Sequence, residues 1–271
     1  MSKTNPIGVF DSGIGGLSVL KQFLRFLPYE RYIYLGDTAR VPYGNKSPET
    51  VIEYSKEASK FLIDKDVKLI VIACNTASSV ALEAVRDSVD VPVIGMIFPA
   101  AQAALRASVS GRIGVIGTRA TVASKAYEYT LTKLSDNRVL NIFQQACPLF
   151  VPIVEEGWLR HQATRIIAEE YLKDLKEKDI DTLVLGCTHY PLLSQMISDI
   201  MPGINLIDSG EHASVNAIRV LGETGMLADE RDEYNFTPEM EFYVTDIHST
   251  FYEVAQRFLG FDVESPKKVI I

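Results

Sequence analysis

The sequence predicts an α/β protein with two similar α/β domains, parallel-type sheets and a ligand cleft between the domains. Its apolar runs are short and do not alternate with polar residues, which is typical of strands buried on both faces of a parallel sheet. A stretch with helical periodicity follows nearly every run, as in successive strand–helix units. The pattern starts again after a joint at residues 97–99, and each half contains one cysteine in the same local context. A duplicated architecture with a site between its halves follows from these observations.

The first half of the chain alternates predicted strands and helices. Each strand is a short apolar run bounded by turn residues. We predict strands over residues 7–10, 32–36, 69–73 and 91–95, with helices ending near 26, covering 48–65 and following Cys74. Ser47-Pro48-Glu49 is predicted to open the second of these helices, with proline at its first position. Just before it, residues 41–45 form a turn-rich loop around Tyr43.

The second half repeats the alternation. Strands are predicted over 112–116, 139–143, 182–186, 204–207 and 242–245, and helices over 100–107, 120–134, 161–178, 249–258 and after both Cys187 and Asp208. Asp208-Ser209-Gly210, at the start of one helix, repeats Asp11-Ser12-Gly13. A polar loop, residues 229–239, precedes the last strand.

Two cysteines occupy equivalent positions in the two halves, because Cys74 and Cys187 each follow an apolar run. The residues after them are types that can cap a helix, namely Asn75, Thr76 and Thr188. We therefore expect each thiol at the carboxyl end of a strand and beside a helix N-terminus. Open α/β sheets bind ligands at that edge, and a helix end lowers the pKa of a thiol. The third cysteine, Cys147, lies in an apolar loop over 147–152 and is expected to be structural.

Two thiols that face each other across a cleft suit proton transfer at one carbon atom. One thiolate removes a proton while the opposite thiol delivers one to the other face. The reference pKa of a thiol is about 8.5, so modest tuning lets it act either way. Asp11 is expected near the first thiol, and His189 lies two residues after the second. Structural alternatives stay open at this point, because a strand-end cysteine is often simply buried and a lone histidine is often structural.

The glycine-rich turn over residues 11–16 invites comparison with nucleotide-binding loops, since Asp37 ends the next strand. However, Ser18 stands where the dinucleotide fingerprint needs glycine or alanine. The carboxylate of Asp11 would also repel a pyrophosphate. We therefore favour a tight turn that presents Asp11 and Ser12 at the end of the first strand, with Ser12 as a helix cap the simpler alternative.

The bulk composition narrows the function further. A net charge of −8 argues against nucleic acid as a partner, because phosphate binding needs clustered lysine and arginine. No apolar run approaches the roughly 20 residues that cross a bilayer, and residues 1–6 lack a secretory leader. Three cysteines without a CxxC pair fit a reducing cytoplasm. Neither a metal-binding histidine cluster nor a lysine motif for pyridoxal phosphate is recognisable, so we expect no metal and no cofactor.

Four motifs, in this order, are similar to those of the bacterial glutamate racemases, in the aspartate/glutamate racemase superfamily. They are Asp11-Ser12-Gly13-Ile14-Gly15-Gly16, Pro42-Tyr43-Gly44, Ala73-Cys74-Asn75-Thr76 and Gly186-Cys187-Thr188-His189-Tyr190-Pro191. The resemblance covers nearly the whole chain. It implies a cofactor-independent isomerase that interconverts L- and D-glutamate and supplies D-glutamate for peptidoglycan. It also implies a first domain of residues 1–97 plus 208–271 and a second of 98–207.

The same resemblance assigns roles to individual residues. Cys74 and Cys187 match the two acid/base catalysts, and Asp11 and His189 match the residues that assist them. The further carboxylates implicated in the family match Asp37 and Glu155. The matching substrate-binding positions are Asp11, Ser12, Tyr43, Gly44, Asn75, Thr76, Thr188 and His189.

Two other functions remain as alternatives. One is an aspartate racemase or another member of the superfamily. The other is a two-domain protein that binds an acidic amino acid without chemistry, and exchange of the α-hydrogen with solvent would separate it from an enzyme. In either case the partner is a small molecule, and we expect a homodimer without nucleic-acid or membrane contacts.

Overall fold

The computed structural model describes residues 2–229, 238–263 and 266–271. It contains two parallel sheets with helices packed around them, so the predicted fold class is confirmed. Most of the polar loop expected over 229–239 lies outside the described residues. Within the described ranges, no helix is long and apolar enough to cross a membrane.

The first sheet has six strands, all paired in parallel. In spatial order they are β10 (Lys267–Lys268), β9 (Met240–Val244), β2 (Tyr32–Gly36), β1 (Ile7–Asp11), β3 (Leu69–Ile72) and β4 (Val93–Gly95). Strands β1, β2 and β3 are completely buried, which explains their unbroken apolar sequences. Register places Asp11 opposite Gly36, so the polar residues that follow these strands gather at one edge.

The second sheet has four parallel strands. In spatial order they are β6 (Asn141–Ala146), β5 (Arg112–Gly117), β7 (Thr182–Gly186) and β8 (Asn205–Asp208). Gly117 pairs with Gly186, and a Cβ on Gly186 would lie 2.6 Å from the main-chain oxygen of Ile116. The glycine before Cys187 therefore allows close strand approach at the edge where the cysteine emerges.

Twelve helices surround the sheets in the described part of the chain. They are α1 (Leu17–Phe26), α2 (Pro48–Ile63), α3 (Asn75–Val80), α4 (Leu82–Arg86), α5 (Ile97–Ala107), α6 (Arg119–Ala123), α7 (Ala126–Leu134), α8 (Phe150–Glu155), α9 (Gln162–Glu177), α10 (Ser194–Ile200), α11 (Ser209–Glu223) and α12 (Phe251–Leu259). Short 3-10 turns cover Tyr43–Asn45 and Tyr190–Leu193. As predicted, α2 opens with Pro48 at its first position, and Ser47 caps it by accepting a hydrogen bond from the Thr50 amide at 3.3 Å.

The largest apolar cluster joins the two sheets. It includes Ile7 and Leu69 from the first sheet and Leu183 and Leu185 from the second, all fully buried. The apolar cluster contains residues from both of the predicted domains, 1–97 plus 208–271 and 98–207, so the core does not mark a boundary between them. This division into domains therefore stays a proposal. The strands of the second sheet do all lie between residues 112 and 208, which supports that division.

Three local differences from the predicted elements have simple causes. The expected helix over 120–134 is two helices, because Lys125 adopts a left-handed conformation with φ of 54° between them. The apolar loop over 147–152 runs into the short helix α8, whose six residues and internal proline hid its periodicity. The two-residue strand β10 is too short to be predicted from an apolar run.

Candidate active site

The carboxyl ends of strands from both sheets open into one cavity of about 410 Å³. Most of the residues singled out in the sequence line it, namely Asp11, Ser12, Tyr43, Gly44, Cys74, Asn75, Thr76, Glu155, Cys187, Thr188 and His189. Asp37 is not among the lining residues. The sequence therefore predicted the location of this cavity, while the roles of its residues stay predictions.

Cys74 itself begins the helix that follows it. Its sulfur accepts a hydrogen bond from the Ala77 amide at 3.5 Å, so it acts as the N-cap of α3. Capping by Asn75 and Thr76 was therefore a wrong expectation, because both residues already lie inside the first turn of the helix. Burial, and next the charge of Asp11, raise the pKa of the Cys74 thiol to about 12, although Ser12 and the Ala77 amide act in the opposite direction. Cys74 is therefore a thiol at neutral pH.

Asp11 lies at the end of β1 with one oxygen satisfied and one free. Its Oδ2 accepts a hydrogen bond from the Gly13 amide at 2.9 Å. Its Oδ1 is buried and has no hydrogen-bond partner among the described residues. Burial raises the pKa of Asp11, against the opposing effects of the His189 charge and nearby main-chain N–H groups. A buried, unpartnered acceptor on a cavity wall suits a ligand that donates hydrogen bonds or carries a positive charge.

The second thiol belongs to a group of three side chains. The Cys187 sulfur lies 3.9 Å from Nδ1 of His189, and Nε2 of His189 lies 3.0 Å from an oxygen of Glu155. Burial lowers the pKa of His189, but its hydrogen bonds to Cys187 and Glu155 outweigh burial and raise it to about 10. The imidazole is therefore cationic at neutral pH and places a positive charge beside the Cys187 sulfur.

Thr188 does not cap an α-helix, contrary to expectation. The chain enters a 3-10 turn after His189, and no side chain caps that turn. Instead the Thr188 hydroxyl lies 3.3 Å from Nδ1 of His189, and its main-chain oxygen accepts a hydrogen bond from Ser18 at 2.6 Å. Ser18 stands where the dinucleotide fingerprint needs a glycine or alanine. Its hydrogen bond to Thr188 connects the two halves of the molecule beside Cys187.

The glycine-rich turn after β1 makes room for the opposite half of the molecule. A Cβ on Gly15 would lie 2.3 Å from the His189 ring and 2.4 Å from the Thr188 hydroxyl. A Cβ on Gly16 would lie 2.4 Å from the Cβ of Asp11. Close approach of backbone to these side chains, rather than a phosphate cradle, explains the glycines.

Two buried polar clusters support the cavity wall. Asn75 accepts a hydrogen bond from the Tyr127 hydroxyl at 2.7 Å and donates one to Ser209 at 3.1 Å. The hydroxyl groups of Thr76, Thr118 and Thr121 lie within 3.3 Å of one another. The first cluster joins α3 to α7 and α11, and the second joins α3 to the start of α6.

Asp37 supports the site from behind. It is fully buried and accepts hydrogen bonds from Tyr43 at 2.5 Å, from Arg40 at 2.7 Å and from Thr245 at 2.9 Å. It therefore orders the loop that carries Tyr43 and Gly44, and its carboxylate is shielded from the cavity by these partners.

Sequence reasoning missed several residues of the site. Thr118 and Arg119 line the cavity, and so do Pro148, Val151 and Pro152. The position of Thr118 directly after β5 was the available signal, because it matches the strand-end position of the predicted site residues. Tyr127 carried no signal, since it contacts Asn75 only through tertiary packing. No group of three or more metal-ligating side chains was found in the ranges that the structure describes.

Comparison with known proteins gives consistent similarities. A family model described as Asp/Glu/Hydantoin racemase matches residues 7–217. A glutamate racemase from Geobacter metallireducens is 46% identical over 94% of this chain and 92% of its own length. The crystal structure of the Francisella tularensis glutamate racemase in complex with D-glutamate matches with a TM-score of 0.90 at 38% identity, covering 99% and 98% of the two chains. The Thermus thermophilus enzyme in complex with β-chloro-D-alanine matches with a TM-score of 0.88 at 42% identity, with the same coverage.

Proposed function

Because the chain belongs to the Asp/Glu/hydantoin racemase family, we propose that it is a glutamate racemase that supplies D-glutamate for peptidoglycan. The observation that carries the chemistry is the placement of two thiols. Cys74 follows β3 of the first sheet and Cys187 follows β7 of the second, and both line one cavity. Acid/base groups supplied from two different sheets can act on one carbon atom from two sides.

Proton transfer from L-glutamate starts at Cys187. The Cys187 thiolate, next to the His189 cation, takes the α-proton, so that a C–H bond breaks and an S–H bond forms. Cys74, which is a thiol because of its raised pKa, then donates its proton to the opposite face of the carbon. The reverse reaction uses Cys74 as the base and Cys187 as the acid. After a turnover from L-glutamate, Cys187 carries a proton and Cys74 lacks one. Both must return to their starting protonation states before the next turnover in the same direction.

The cavity wall suits an amino acid with two carboxylates. The free oxygen of Asp11 can accept hydrogen bonds from an α-ammonium group, and a cation there keeps the Asp11 carboxylate charged. Asn75, Thr76 and Thr188 supply side-chain donors for carboxylate groups. Ser12 lies in the turn that follows β1, Tyr43 and Gly44 lie in the loop that follows β2, and all three line the cavity. A site that pairs a distal carboxylate disfavours aspartate, whose shorter chain leaves buried donors unpaired.

Racemisation in heavy water tests the proposal. L-glutamate is incubated with the protein in heavy water, and the reaction is stopped early and analysed by chiral separation and mass spectrometry. The D-glutamate formed should carry deuterium at the α-carbon, because Cys74 has exchanged with solvent, while the remaining L-glutamate should carry little. Protium in most of the early D-product would exclude a two-base mechanism.

This experiment, together with assays on aspartate, separates the alternatives. Equal catalytic efficiency with aspartate would identify an aspartate racemase. Absence of both deuterium uptake and racemisation would favour a protein that only binds an acidic amino acid. Activity that persists after dialysis against a chelator and without added pyridoxal phosphate would support the expected independence from metals and cofactors.

We extend the proposal to the location and assembly of the protein. A reducing cytoplasm would suit it, because Cys74, Cys147 and Cys187 are all free thiols and two of them must cycle as acid and base. For the assembly we propose a homodimer. Light scattering of the purified protein with and without glutamate would test it, and a monomer at all concentrations would contradict it.

A further inference from the structure

The C-terminal helix α12 contacts both members of the His189–Glu155 pair. The edge of the Phe258 ring meets the His189 ring, with centroids 5.1 Å apart and planes at 83°. The guanidinium of Arg257, the preceding residue, donates hydrogen bonds to the main-chain oxygens of Val154 and Glu155. Neither Arg257 nor Phe258 is among the residues that line the cavity.

The residues around Arg257 favour its contact with the end of α8. Helix α8 ends at Glu155, and the last carbonyl groups of a helix lack partners within it. The guanidinium donates to the oxygens of Val154 and Glu155, of which the Val154 oxygen also accepts from the Gly157 amide at 3.0 Å, and basic side chains commonly bind a helix C-terminus in this way. Gly157 follows with a left-handed φ of 74°, and a Cβ on it would lie only 2.6 Å from Nη2 of Arg257. The Arg257 side chain is 17% exposed and its contact with the Val154 oxygen is partly buried, whereas its ion-pair partner Glu253 is 72% exposed.

We propose that Arg257 is a positioning residue for proton transfer at Cys187. By fixing the last carbonyl groups of α8, Arg257 fixes the point from which the Glu155 side chain reaches His189 at 3.0 Å. His189 in turn lies 3.9 Å from the Cys187 sulfur. The inference rests on the proposed racemase function, because it takes Cys187 as the base that acts on L-glutamate.

The contacts of Arg257 and Phe258 lie on the Cys187 side of the site, so loss of Arg257 should affect the two proton transfers unequally. Cys74 is held through Ser12 and the Ala77 amide, not through α8 or α12. Loss of Arg257 should therefore raise the barrier for transfer at Cys187 more than for transfer at Cys74. Rates alone cannot reveal this, because enantiomers have equal free energy and kcat/KM must stay equal in the two directions. Isotope effects can, because each reports the transfer that removes the α-deuteron of its own substrate.

The test compares the wild-type protein with Arg257→Gln. We expect kcat/KM to fall about tenfold, as a small displacement of a catalytic group produces. The isotope effect with α-deuterated L-glutamate should rise and that with α-deuterated D-glutamate should fall, because the step at Cys187 becomes rate-limiting. Arg219→Gln is the matched control, since Arg219 also pairs with a glutamate four residues away, at 2.8 Å, but lies on the exposed surface of α11. Its kinetics should equal those of the wild type.

A readout independent of activity completes the test. Hydrogen exchange followed by mass spectrometry should show faster exchange over residues 150–158 in Arg257→Gln than in Arg219→Gln. If Arg257→Gln does not fold, Arg257→Lys keeps the charge but loses the two-pronged geometry, and it should change the isotope effects in the same directions. Unchanged exchange over this segment, or faster exchange with unchanged isotope effects, would overturn the inference. A wild-type protein that fails to racemise glutamate would instead refute the proposed function, while the exchange data still test the contact.

Discussion

Tyr127 donates a hydrogen bond of 2.7 Å to the side-chain oxygen of Asn75, and both residues are buried. The amide nitrogen of Asn75 donates to Ser209 on the other side. Since the oxygen is held by a phenol, the amide can offer only its remaining N–H to a ligand. Asn75 is thereby fixed as a donor on the cavity wall, which is the orientation that a carboxylate requires.

Tyr127→Phe should free the Asn75 amide to rotate and present its oxygen to the substrate carboxylate. We expect KM for both enantiomers to rise by up to about tenfold, the value of one hydrogen bond, with a smaller change in kcat. Steady-state kinetics in both directions measure this split. Tyr129→Phe is the control, because Tyr129 lies on the same helix and is 66% exposed. An unchanged KM in Tyr127→Phe would show that Asn75 keeps its orientation without the phenol.

The two thiols should be individually indispensable. Cys74→Ala and Cys187→Ala each remove the only acid/base group on one face of the substrate, so racemisation should fall by at least about a thousandfold. Circular dichroism should show that both variants keep the fold. Cys147→Ala should retain wild-type kinetics, because Cys147 is fully buried and the substrate cavity begins only at Pro148. A Cys74→Ala protein that racemises at a rate near that of the wild type would end the two-thiol hypothesis.

The features of this molecule that could be predicted are those that depend on neighbouring residues in the sequence. Cys74 and Cys187 could be placed because strand ends and the residues after them have local signatures. The asparagine and threonines around them could be placed for the same reason, although the capping role expected for Asn75 and Thr76 belongs to the Cys74 sulfur itself.

The parts that could not be predicted depend on contacts between distant segments. Tyr127 meets Asn75 from 52 residues away, and Arg257 meets Glu155 from 102 residues away. Burial also depends on contacts between distant segments. The sequence predicts a thiol pKa lowered by a helix end, whereas enclosure of Cys74 raises it. Only the packed fold determines how much water each group loses.

The raised pKa of His189 predicts how stability depends on pH. Its pKa is about 10 in the folded protein and 6.5 in an unfolded chain, because the bonds to Cys187 and Glu155 outweigh burial. The folded state therefore binds the proton more tightly, and its contribution to stability is complete below pH 6.5 and is lost as the pH rises through about 10. Urea unfolding of the wild type and of His189→Gln across this range should show a stability difference that shrinks with rising pH. A difference independent of pH would contradict the assignment.

A buried ion pair lies at the opposite edge of the first sheet, far from the cavity. Lys68 and Glu30 are 2.6 Å apart, with side chains that are 0% and 1% exposed. Lys68 also donates to the main-chain oxygens of Lys3 and Met226, and Glu30 accepts from the Ala228 amide. The pair thus fastens the N-terminal residues and the segment after α11 to the base of the sheet.

Lys68→Met should destabilise the protein by about 4 kcal/mol, because it leaves the Glu30 carboxylate buried without a counter-charge. The double variant Lys68→Met with Glu30→Leu should recover part of this loss, since no buried charge remains. It should stay less stable than the wild type, because the oxygens of Lys3 and Met226 lose their donor. Lys267→Met is the control, as its ion pair with Glu241 is 61% and 44% exposed, so solvent screens it and its loss should change stability far less. Urea unfolding at neutral pH measures all four proteins, and a double variant that is less stable than Lys68→Met alone would show that the Glu30 contact with the Ala228 amide outweighs the cost of its unpaired charge.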